Sequence, residues 1–117
     1  MKYMLMFWDD DSAPAPADGG AAMLTAIMSW VDEMTARGIR LDGSALKYAD
    51  EATIVRVRDG QTLVSDGPYA ETKEQVGGYD VIECADLSMA IEVAAAHPLA
   101  STASVEVRPL DDFPGEM

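Results

Sequence analysis

One short run constrains this chain more than any other. Tyr3 to Trp8, YMLMFW, is apolar at every position. A run of that length fits a strand and is too short for a stable helix. Side chains alternate along a strand, so Tyr3, Leu5 and Phe7 share one face and Met4, Met6 and Trp8 the other. Both faces need cover, which places the strand inside a layered domain. A secretory leader is the wrong reading: the run is short, and Asp9, Asp10 and Asp11 come next with no small-residue cleavage site. No stretch approaches the roughly 18 apolar residues of a membrane-crossing helix.

The segment Asp9 to Gly20 is a loop, because Pro14 and Pro16 exclude a helix across it. Asp18 is an N-cap for the first helix. Met23, Ile27, Trp30, Val31 and Met34 recur at helical spacing and predict that helix from about Gly20 to Arg37, with Gly38 as its C′ residue. The next stretch, IRLDGSALKYAD, reads as irregular or as a short extended piece.

The clearest local signal lies in the middle of the chain. Two alternating runs flank Asp59-Gly60, the preferred pair for a two-residue type I′ hairpin. That turn sets Arg58 opposite Gln61, Val55 opposite Val64 and Thr53 opposite Asp66. One face then carries Val55, Val57 and Val64, with Asp66 at its end. Thr72 and Gln75 match a capping box for at most a turn of helix before Gly77-Gly78, which allow a bulge or close backbone passage. Tyr79 to Cys84 is a further strand. Asp86 caps a second helix with Leu87, Ala90, Ile91 and Ala94 as its buried stripe, and Pro98 ends it. SVEVRPL is the last strand, with Val105 and Val107 inward.

The order β-α-β-β-β-α-β is that of a ferredoxin-like α+β fold, an antiparallel-rich sheet with two helices on one face. Residues 1–117 form a single domain. Two helices cover one sheet face only, so the apolar second face calls for a partner, most simply a second copy in a homodimer.

Acidic residues outnumber basic ones 21 to 8, for a net charge of −13. Such a surface repels phosphate backbones and anionic lipid, so neither nucleic acid nor membrane is an expected partner. Cys84 stands alone, which excludes an internal disulfide and fits a cytoplasmic protein; its expected place is buried.

The chemistry-bearing residues gather in SDGPYAETKEQ, Ser65 to Gln75. Asp66 is the candidate catalytic residue: a carboxylate on an apolar face can act as general acid or base. The same carboxylate before Gly-Pro can equally fix a turn by accepting backbone hydrogen bonds. Tyr69, Glu71, Lys73 and Glu74 are candidate ligand-binding residues at a pocket mouth, with a solvated charged turn as the alternative. His97, the only histidine, is a weaker catalytic candidate and equally a helix-end residue favoured by the dipole. The three consecutive aspartates lack the spacing of a calcium loop, and one cysteine with one histidine cannot close a zinc site, so no metal and no cofactor are expected. A phosphate loop and a nucleophile elbow are also absent from the sequence.

MKYMLMFW, ATIVRVRDGQTLVSDGPYAETKEQVGGYDVIE and HPLASTASVEVRPL together resemble the YCII-related family, in its subgroup named for a DGPF motif. Here the motif is Asp66-Gly67-Pro68-Tyr69, with tyrosine in the fourth place. The resemblance implies a ferredoxin-like fold that pairs through its sheets as a dimeric α/β barrel. It implies an activity mostly undefined, an Asp-His pair in some relatives, and a link to sigma-factor regulation. The first helix of this chain has no histidine, which departs from that Asp-His pattern. Three functions are open: a ligand-binding or accessory module with a pocket near the motif, an enzyme of unknown reaction using Asp66, or a purely structural homodimer.

Overall fold

A computed structural model describes residues 1–10 and 12–111. The central strand is β1 (Lys2–Asp9), as its unbroken apolar run requires. Then come α1 (Ala21–Ala36), β2 (Arg40–Ala45), the hairpin strands β3 (Thr53–Arg58) and β4 (Gln61–Asp66), β5 (Gln75–Glu83), α2 (Leu87–Ala95) and β6 (Ser104–Pro109). One sheet runs β2-β5-β1-β6 with every neighbour pair antiparallel. Omit the hairpin and this is the ferredoxin-like order: β5 lies between β1 and β2, and β1 between β5 and β6. Among the described residues the sheet is open, with β2 and β6 as its edges, and forms no closed barrel.

The alternation read in β1 is kept. Tyr3, Leu5 and Phe7 are buried beneath the helices, while Met4, Met6 and Trp8 are half-buried on the other face. The core joins Tyr3, Leu5 and Phe7 to Trp30 and Met34 of α1, Ile82 of β5, and Ala90, Val93 and Ala94 of α2, with Val105 and Val107 packed against it. Cys84 is buried, and burial pushes its thiol pKa up. Among the described residues no helix is long and apolar enough to cross a membrane.

Four expectations change. The hairpin has the foreseen register, and Asp59 (φ 50°) and Gly60 (φ 73°) both take the positive φ of a type I′ turn. It nevertheless stands apart as its own two-stranded sheet, with Val55, Val57 and Val64 exposed. The sheet's edge strand is instead β2, from the stretch that reads as irregular. In α2, Leu87 and Ile91 are half exposed and Val93 takes the buried place, because small Ala90 and Ala94 let the helix settle close to the sheet. Thr72 and Gln75 start no helix: the Gln75 amide donates to the Ala70 and Thr72 carbonyls and holds an irregular loop.

The helix caps are local. Asp18 accepts from the Gly20 and Ala22 amides, although Gly20 itself is the N-cap. Asp86 caps α2 through the Met89 amide at 2.9 Å. Gly77 is the extra residue of a bulge in β5: Phe7 pairs with Gly78 and Trp8 with Val76.

Candidate functional site

Between α1 and the sheet lies a cavity of about 310 Å³. Ile27 and Val31 of α1 form its roof, with Leu24 and Met28 at the mouth; Phe7, Gly78 and Leu99 contribute to its floor and end. The bulge at Gly77 and the missing side chain at Gly78 keep the strand backbone bare here; a β-carbon at Gly78 would stand 3.1 Å from the Ser44 carbonyl oxygen. Into this apolar space come a few polar side chains, chiefly Asp9, Arg40, Asp80 and His97. An apolar cavity with a few convergent polar groups is the usual form of a small-molecule site.

His97 does not end α2. It caps the short 3₁₀ turn Pro98–Ser101, its Nδ1 accepting from the Leu99 amide at 3.0 Å. The ring is 3% exposed and wedged between Phe7, at 4.4 Å between ring centroids, and Trp30, at 4.6 Å and edge-on. Burial pulls its pKa from 6.5 down to about 4, so the imidazole is neutral at physiological pH. Since Nδ1 accepts, Nε2 carries the proton. That N–H has no partner among the described residues, and no buried side-chain nitrogen or oxygen among them is left unsatisfied, so Nε2 meets the cavity.

Arg40 and Asp80 come together across the sheet edge. Arg40 Nε donates to Asp80 Oδ1 at 2.8 Å, and Asp80 is 5% exposed. Burial raises the Asp80 carboxyl pKa, and the guanidinium opposes that shift. Gly43 makes room for the pair: a β-carbon there would overlap Asp80 Oδ1 and stand 2.7 Å from Arg40 Nη2. Arg40 spends only Nε on the pair, and no described residue bonds its two amino groups. A sequence signal for Asp80 does exist. It stands at an inward position of its strand, between Gly78 and Ile82, where an acid needs a partner.

The motif residues lie elsewhere. Glu71 and Lys73 line an open cleft of about 670 Å³ with Asp10, Tyr48, Asp50 and Gln75. Lys73 Nζ stands 3.9 Å from Asp10, whose carboxyl pKa is lowered by hydrogen bonds from Ser12. Tyr69 is 79% exposed beneath the Arg56 guanidinium, 5.6 Å from its ring centre, and does not line the cleft. Glu74 is exposed and also outside that lining. Asp66 is exposed at the end of β4, opposite Thr53, and lines neither cavity. Asp66 and His97 are not brought together: one is at the hairpin's end, the other deep against Phe7 and Trp30. No group of three or more His, Cys, Asp or Glu among the described residues could hold a metal ion. Asp11, the third of the consecutive aspartates, lies outside the described residues.

The model of one family, described as YCII-related domain, matches residues 1–114. A similar protein of Rhizobium meliloti (strain 1021), described as uncharacterized protein R00369, is 48% identical over 71 residues. That match covers 56% of this chain and 56% of the relative, so the chain spans just over half the relative's length.

Proposed function

Because the chain belongs to the YCII-related domain family, whose match runs through both helices and the whole sheet, we propose that it is a ligand-binding module with its site in the cavity beneath α1. One observation carries this reading. A neutral, almost fully buried imidazole turns an N–H that no described residue bonds toward a largely apolar cavity, where a ligand can reach it. A ligand that offers an acceptor there can take the place of water on that N–H and fix its own orientation by the bond.

The proposal includes a homodimer. A second copy packs its own bare sheet face on Met4, Met6, Trp8 and Val81, which the helices leave uncovered. The cleft beside Asp-Gly-Pro-Tyr supports a second reading, a polar or cationic ligand held at Glu71 with Asp10 and Asp50, since three carboxylates there face one lysine. Asp66, as an acid or base of an enzyme, would have to act on a ligand outside either cavity.

The test is a titration of the full chain with toluene, monitored by backbone amide NMR shifts. Shifts at Phe7, Ile27, Gly78 and Leu99, lost in Ile27→Trp, are expected. No shift, or shifts confined to residues 66–75, would overturn the cavity reading.

A further inference from the structure

Resting on the cavity reading, we infer that the site takes a small, uncharged apolar molecule carrying an acceptor oxygen, such as a carbonyl, held jointly by the Nε2–H of His97 and a free amino group of Arg40.

The charge balance of the wall argues for this class. Its ionisable side chains are the carboxylates of Asp9 and Asp80, the guanidinium of Arg40, the neutral imidazole of His97 and a tyrosine phenol. Two negative charges against one positive leave the wall net negative. The guanidinium is moreover committed through Nε to a carboxylate 2.8 Å away. An anion entering here would meet the buried Asp80 carboxylate where the local dielectric is low, with the exposed Asp9 adding a weaker, solvent-screened repulsion. The unfilled groups, however, are donors on both sides: imidazole N–H and guanidinium N–H. A cation offers them nothing, and a plain hydrocarbon leaves them unmet. Only an acceptor without charge satisfies both and avoids the Asp9 and Asp80 carboxylates. At about 310 Å³ the space is at the lower end of ligand cavities, which sets the size to a single ring or its equivalent.

Three probes of one shape decide the matter in the unmodified full chain: acetophenone, benzoate and ethylbenzene, titrated by calorimetry and amide NMR shifts. Acetophenone is expected to bind about tenfold or more tighter than either of the others. His97→Asn keeps an oxygen to accept from the Leu99 amide but withdraws Nε2–H, and should bring acetophenone to within about threefold of ethylbenzene. Equal binding of the three probes in the cavity would overturn the donor inference and leave the cavity reading standing. Tightest binding of benzoate would overturn it in favour of Arg40 as a free cation. Binding of none would bring down both.

Discussion

His97 couples its burial to pH. Its pKa in the fold, about 4, lies below the 6.5 of an unperturbed imidazole. Above pH 6.5 both folded and unfolded chains are neutral there, and the stability that depends on this ring is complete. Between 6.5 and 4 the unfolded chain takes up a proton that the folded chain refuses. Stability therefore falls with pH across that window, by roughly 3 kcal/mol in all, and the ring contributes no further change below it. Asp80 acts in the opposite sense. Its raised folded pKa keeps its proton longer, so its contribution declines as pH rises above the ordinary 3.8. Urea unfolding of the wild type and His97→Asn from pH 7.5 to 4 separates the two, because the steep loss between 6.5 and 4 is expected to vanish in the variant alone. Gly43→Ala makes a second residue-scale prediction. The new methyl must displace the Arg40–Asp80 pair, and a loss of about 2 kcal/mol or more in the same unfolding measurement is expected.

Elements differ in how openly the sequence declares them. The hairpin's register was legible because Asp59-Gly60 dictates it locally. Its place was not, since nothing in an alternating strand says which sheet it joins. The edge strand β2 was hidden because RLDGSA has no apolar rhythm; β5 holds it by backbone pairing, and Leu41 is bulged out of register. The buried stripe of α2 misled because its large residues, Leu87 and Ile91, look outward while alanines face the sheet. The site suffered from the same blindness. Charged residues crowd together in Ser65–Gln75 and attract notice, whereas Arg40, Asp80 and His97 are far apart in the chain and come to line one cavity only through the fold. Two measurements test the elements themselves. Asp86→Ala removes the cap on the Met89 amide and should cost about 1 kcal/mol. Amides of β3 and β4, which lack any layer above or below, should exchange with deuterium orders of magnitude faster than those of β1 and β5.

The molecule as a whole is a slab, 48 × 45 × 19 Å, thin because one helical layer lies on one sheet. Its radius of gyration, 16.4 Å, exceeds the roughly 13 Å of a compact chain this long, as the projecting hairpin requires. The slab form was legible from β1 alone: apolar on both faces, with helices enough for one. If a second copy covers the other face, Met6→Glu places a charge in the middle of that contact. Sedimentation should then show a dimer for the wild type and a monomer for the variant at micromolar concentration; a wild-type monomer would remove the dimer from the proposal. Trp30 adds a practical consequence. Its indole donates to the Val93 carbonyl at 3.2 Å while its ring edge rests on His97. An imidazolium is an efficient quencher of indole emission, so the protein carries a built-in optical gauge of that ring's protonation, readable without a label as the difference between the wild type and His97→Asn, which share Trp8.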